Sequence, residues 1–326
     1  MAATLYTGNS STQTISNAVN GVSMQPDFVW VKGRSGTTSH NLSDSVRGTA
    51  STLFSNTTGA ENTSASRINA FNSNGFSVGN DTDVNTNTAT YVGWQWKAGG
   101  TAVSNTAGSI TSSVSANTTA GFSVVSATTT SAAGTIGHGL GVAPSMIIGV
   151  NRAAPNGWWV YHASRGATKY LVLNTTAAEV TSAAVWNNTA PTSTVFSQGS
   201  GGWNNAATAI FYCFAPVAGY SAFGSYTGNG SADGPFVYLG FRPRFVVIKA
   251  SSTISQWVLW DTSRNTFNVT NSILYPNLSN AESVFAMDIV SNGFKFREAG
   301  GAGNDSGVTY IYMAFAENPF KYANAR

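Results

Sequence analysis

Three prolines, Pro26, Pro144 and Pro243, open stretches of sequence that stay in register with one another, so the chain can only fold as an architecture in which one unit recurs. Each precedes an apolar, β-branched run: Phe28-Val29-Trp30-Val31, Met146-Ile147-Ile148 and Phe245-Val246-Val247-Ile248. Such runs read as buried strands. Fourteen residues after each proline stand His40, Trp158 and Trp257, opening a second strand that ends at Asp44, His162 and Asp261. Twenty-one residues after each stands an arginine: Arg47, Arg165 and Arg264. Only 9% of the residues are charged, so an arginine at one position of every copy is not a chance alignment. The motif Asn-x-x-x-Ala-Glu recurs from Asn56 to Glu61, Asn174 to Glu179 and Asn277 to Glu282, which places three of the five glutamates at one repeat position.

Each copy closes with an alternating strand that begins at Thr90, Thr208 or Thr309, 64, 64 and 66 residues after its proline. One face carries Val92, Trp94 and Trp96, then Ile210, Tyr212 and Phe214, then Ile311, Met313 and Phe315. Period-two apolar faces of this kind line sheet-on-sheet cores. The opposite face mixes Tyr91, Gly93 and Gln95 with Phe211 and Cys213, a pattern that leaves it open between solvent and a neighbouring surface.

The stretches Ala98-Gly99-Gly100-Thr101 and Pro216-Val217-Ala218-Gly219 mark the boundaries between copies. The expected fold is all-β: three tandem β-sandwich-like, jelly-roll-like repeats over residues 1–100, 101–218 and 219–326. The alternative is a single pseudo-threefold, β-prism-like body. The first and third copies share an opening turn, Tyr6-Thr7-Gly8-Asn9 and Tyr226-Thr227-Gly228-Asn229. The second departs from it and adds the stretch Gly108 to Ser115, read as an extra hairpin or docking strand. The one candidate helical turn is the Asn-x-x-x-Ala-Glu segment, where Asn can cap.

Composition narrows the function. The 9 Trp, 18 Phe and 12 Tyr supply a core that disordered chains lack. The net charge is +3, and no run of Lys or Arg tracks phosphates, so nucleic acid is not the expected partner. The start lacks the pattern of a signal peptide and no apolar stretch is long enough to span a bilayer, so no membrane insertion is expected. Cys213 is the single cysteine and cannot form an intramolecular disulfide.

Catalytic chemistry finds little material. A nucleophile-base pair needs a histidine oriented by a carboxylate beside Ser or Cys; His40 stands where other copies have tryptophan, His162 where they have aspartate, and His138 lies in a Gly-rich turn. Glycoside hydrolysis needs paired carboxylates. Glu61, Glu179 and Glu282 could pair with Asp44 and Asp261, but the second copy offers His162 at that position. The reading adopted is structural: Arg47, Arg165 and Arg264 bond the repeated Glu or Asn side chains and pin a loop. Asn80-Asp81-Thr82-Asp83-Val84-Asn85 lacks the Gly and Glu of a calcium loop, and Gly199-Ser200-Gly201-Gly202 lacks the Lys of a phosphate cradle. No catalytic residue, metal or cofactor is assigned. Trp158 and Trp257, in register, are expected in the core. Trp186 and Trp203, in Asn-rich loops without a counterpart elsewhere, are the candidates for stacking on a glycan or meeting a partner subunit.

Several motifs carry a resemblance: Gly240-Phe241-Arg242-Pro243-Arg244-Phe245, Ser291-Asn292-Gly293-Phe294, Ala316-Glu317-Asn318-Pro319-Phe320-Lys321, Ile136-Gly137-His138-Gly139-Leu140-Gly141 and Tyr91-Val92-Gly93-Trp94-Gln95-Trp96. Across essentially its whole length the chain resembles the repeat modules of tail-fibre-like and virion structural proteins of bacteriophages, especially marine ones. The resemblance implies a virion protein made in the host cytoplasm, with other virion proteins as partners and host-surface glycan as a receptor. It supplies no catalytic residues. An envelope-polysaccharide depolymerase is the other class in play. Low surface charge and aromatic residues on both faces of the closing strands point to a homo-oligomer, and the resemblance favours a trimer.

Overall fold

The computed structural model describes residues 1–18, 23–153, 155–204 and 206–318; Pro319, Phe320 and Lys321 of the last motif lie outside them. The described chain is all-β, built of antiparallel sheets with two single-turn helices, Thr82–Asn85 and Ala183–Trp186.

One strand order occurs three times. In the first unit Ala2–Thr7 pairs with the closing strand Thr90–Trp96, which pairs with Phe28–Gly33, which pairs with Asn41–Asp44. The second unit repeats it with Phe122–Thr128, Thr208–Phe214, Met146–Asn151 and Trp159–His162. The third does so with Ser221–Thr227, Thr309–Ala316, Pro243–Ala250 and Trp257–Asp261. In the second unit the added stretch forms a hairpin, Val103–Asn105 with Ser112–Asn117, that extends the edge of the sheet.

The two faces of these main sheets are buried for different reasons. On the inner faces, Trp30, Trp94 and Trp96, then Ile148, Tyr212 and Phe214, then Val247, Met313 and Phe315 enter one common core. Trp96 meets Phe28 of its own sheet, Phe214 of the second and Phe245 and Phe315 of the third, with ring centroids 5.3–6.3 Å apart. On the outer faces each main sheet carries a smaller one from its own stretch of chain, and three separate clusters fill the gaps. This settles the second face of the closing strands: Tyr91, Phe211 and Cys213 are buried beneath sheets of the same chain, not a neighbour's. Burial pushes the Cys213 thiol well up, so it stays protonated and unreactive.

The Asn-x-x-x-Ala-Glu segment forms no helical turn. Instead Asn56, Asn174 and Asn277 accept the backbone N–H of His40, Trp158 and Trp257 at 2.8, 3.0 and 3.1 Å, fixing the entry to the second strand in every unit. A second asparagine clamps the opening turn: Asn85 accepts from Asn9 N–H and Asn304 from Asn229 N–H. These turns need glycine because the backbone passes close by. A Cβ on Gly8 would stand 2.1 Å from the Thr86 carbonyl oxygen, and one on Gly228 2.3 Å from that of Asp305. Gly228→Ala should therefore cost about 1–3 kcal/mol, whereas Gly36→Ala, which meets nothing within 4 Å, should be nearly neutral. Denaturant titration of both variants checks this, and equal midpoints would remove the packing argument.

Candidate functional site

The repeated charged residues meet where one unit joins the next. At the first junction Arg47 Nε lies 2.6 Å from Asp44 Oδ2, with both side chains fully buried, and Nη1 lies 2.9 Å from Glu61 Oε2. Glu61 also receives Arg152 of the second unit, at 2.9 and 2.7 Å. Tyr212 of that unit donates its hydroxyl to Asp44 at 2.9 Å and accepts from Arg47 at 3.1 Å. The junction of the third unit with the first repeats this chemistry. Arg264 bonds Asp261 at 2.5 Å and Glu282 at 3.2 Å, Arg34 of the first unit bonds Glu282 at 2.7 Å, and Trp94 Nε1 donates to Asp261 at 3.0 Å.

The remaining junction is built differently. Where the other two have Asp, a Tyr or Trp donor and a cross-junction Arg, it has His162, Met313 and Ser251 at the equivalent positions. The first two replacements are consistent with each other, since without the buried carboxylate a Tyr or Trp donor at the Met313 position would have no acceptor. Arg165 grips Glu179 with two 2.6 Å bonds inside the unit, and Lys169 takes the place of the absent arginine. His162 donates Nε2–H to the Tyr312 carbonyl oxygen at 3.1 Å, leaving Nδ1 to bond Ser164.

One backbone bond is common to all three junctions. The N–H of Glu61, Glu179 and Glu282 donates to the carbonyl oxygen of Arg152, Ser251 and Arg34 at 2.8, 2.8 and 2.9 Å. First joins second, second joins third, and third joins first, so the contacts close a ring. Buried lysines add to it: Lys32 donates to Ser279 across one junction and Lys249 to Thr176 across another, and burial lowers both to about 8.

This arrangement limits what the carboxylates can do. Burial alone would raise Glu61 and Glu179, but guanidinium bonds outweigh it and hold both below the ordinary range. A carboxylate saturated by arginine carries no proton to donate and makes a poor general acid. Arg34 and Arg152 are the site residues that sequence reasoning missed. Both stand eight residues after their prolines, but the third copy has Ser251 there and breaks the signal.

His162 is lowered to about 4 by burial, only partly offset by its bond to Tyr312, and His40 lies well below its usual value, also through burial. Both are neutral in the fold, whereas in the unfolded chain they take a proton near 6.5. Between those values the unfolded state binds more protons, so stability falls as pH drops from about 6.5 towards 4. His162 contributes about 3 kcal/mol to that loss. Below the ordinary glutamate range, protonation of Glu61 and Glu179 adds to it in the same direction. Melting should therefore move to lower temperature from about pH 6.5 to 4.5, and His162→Gln should flatten that part of the curve. An unchanged slope in the variant would contradict the assignment.

Trp186 and Trp203 do not offer a glycan platform. They are 2% and 4% exposed and pack on each other, with centroids 5.7 Å apart, between the second main sheet and its cover. Trp203 also has counterparts, since it stands five residues before Thr208 as Asn85 and Asn304 do before Thr90 and Thr309. In place of an asparagine clamp, its indole donates to the Val185 carbonyl oxygen at 3.0 Å. Trp158 and Trp257 lie in the common core. The acidic stretch from Asn80 forms the helical turn Thr82–Asn85, capped by Asp81. Among the described residues no group of three or more His, Cys, Asp or Glu is placed to hold a metal ion, and no helix is long and apolar enough to cross a membrane.

No curated protein and no solved structure matches the chain. A family model described as a domain of unknown function, DUF7483, matches residues 1–319, nearly the whole length over which the ring of junctions is built, and the chain belongs to that family.

Proposed function

We propose that the chain is a non-catalytic structural protein displayed on a bacteriophage particle, as part of a tail fibre, a tail tip or a head decoration, and that it contributes to attachment to the host surface. The observation that carries this reading is the use made of the repeated charges. Arg47, Arg165 and Arg264 pair with Glu61, Glu179 and Glu282 inside their own units, and the same glutamates tie each unit to the next through their backbone N–H groups, so the repeated charges are spent on structure. The resemblance of the whole chain to virion repeat modules supplies the location. Association with other virion proteins, and as a trimer, rests on that resemblance and on the low charge content; the aromatic second faces of the closing strands lend it nothing, because the chain covers them itself.

Two measurements test the reading. Mass spectrometry of purified particles should find the chain at a fixed copy number. Incubation of the protein with envelope polysaccharide should release no new reducing ends, and sustained release would replace this reading with a depolymerase.

A further inference from the structure

The aromatic side chains exposed among the described residues, Phe236, Tyr238 and Phe267, all belong to the third unit. Phe236 and Tyr238 lie on the outer face of the edge strand Phe236–Tyr238 in the sheet that covers that unit, with Val237 between them turned into the core. The other units serve as internal controls. Aligned on Phe76, Phe196 and Phe294 and their partners Ile15, Ile136 and Val237, the places of Phe236, Tyr238 and Lys295 are held by Thr14, Ser16 and Ser77 in the first unit and by Thr135, Gly137 and Ser197 in the second. Folding therefore does not require aromatic residues there.

Beside the rings, Lys295 pairs with Asp233 at 2.7 Å and Arg297 with Asp288 at 2.5 Å, and register places Phe236, Lys295 and Asp288 in one row across the face. We infer that this face is a binding site for neutral saccharide, with Tyr238 and Phe236 as stacking platforms and Lys295, Asp233 and Arg297, the last held by the largely buried Asp288, as bonding partners for hydroxyl groups. Residues two apart on a strand stand about 6.8 Å from each other, so the rings offer successive platforms. The electron-rich ring face attracts the polarised C–H groups of a pyranose, while fixed polar groups orient its hydroxyls. Two opposite pairs cancel in charge, which disfavours an anionic ligand. Charges in the middle of the patch also disfavour a protein partner, because the buried centres of protein interfaces are depleted of them.

The inference rests on the attachment reading above and names its site and ligand class. The test measures binding of the full chain to immobilised neutral gluco-, galacto- and manno-oligosaccharides and to envelope polysaccharide. Tyr238→Ala is the lead variant and Ser16→Ala the control; Phe236 is less suitable because its ring rests 3.1 Å from where a Cβ on Gly293 would stand. Tyr238→Ala should weaken saccharide binding about tenfold at unchanged melting temperature, with Ser16→Ala binding as the parent does. Equal binding by Tyr238→Ala overturns the site while leaving attachment intact. No saccharide binding by a chain that is still found in particles overturns the inference alone. A dimer that Tyr238→Ala dissolves would assign the face to a second copy instead. Binding by a chain absent from particles would overturn the virion reading and keep the site.

Discussion

Arg47→Ala is expected to destabilise the protein by about 3–5 kcal/mol, because it leaves the Asp44 carboxylate fully buried without its cation. The guanidinium also serves Glu61, the Leu42 and Ser51 carbonyls and the Tyr212 hydroxyl, so several acceptors lose a donor together. Arg264→Ala, with the same buried aspartate partner, belongs in the same range. Arg165→Ala should cost only about 1 kcal/mol. Its side chain is 23% exposed, its unit carries His162 in place of the buried acid, and Glu179 keeps Lys169. Denaturant titration of the three variants decides the matter, and equal losses at all three positions would contradict the distinction drawn between junctions.

Trp96→Ala is the second large effect, again about 3–5 kcal/mol. Its ring lies where all three main sheets converge, against Phe214, Phe245 and Phe315 as well as Phe28. The cavity would be lined by rings from three units that cannot all collapse into it without moving the sheets. The loss should appear as a downward shift of the whole unfolding transition. A variant in which only part of the chain unfolds early would place Trp96 in a local core instead.

The strands were legible in the sequence because period-two faces and proline-anchored runs report burial directly. The ring was not. Val92, Trp94 and Trp96 show that one face is apolar, but the same pattern serves a core closed within a unit and a core shared among units. What separates the two is side chains reaching across junctions, and those were visible only in part. Arg47 and Arg264, which meet Tyr212 and Trp94 across their junctions, stand at a position repeated in every copy and could be found by counting; Arg34 and Arg152 recur in two copies and were hidden by Ser251. Trp203 was misread because its glycine- and asparagine-rich surroundings resemble an exposed loop, although its distance from Thr208 matches that of Asn85 from Thr90. Helices of four residues, such as Thr82–Asn85, are too short to leave a helical period. The face bearing Tyr238 needed the structure, since alternation alone does not tell which side of an edge strand meets solvent.

Calorimetry of the full chain tests the central claim, that three sheets share one core and close a ring. The account predicts a single transition whose calorimetric enthalpy equals its van't Hoff enthalpy, with Arg47→Ala and Trp96→Ala each moving that transition as a whole. Separate transitions, each shifted only by substitutions in its own third of the chain, would show three independent units and contradict it.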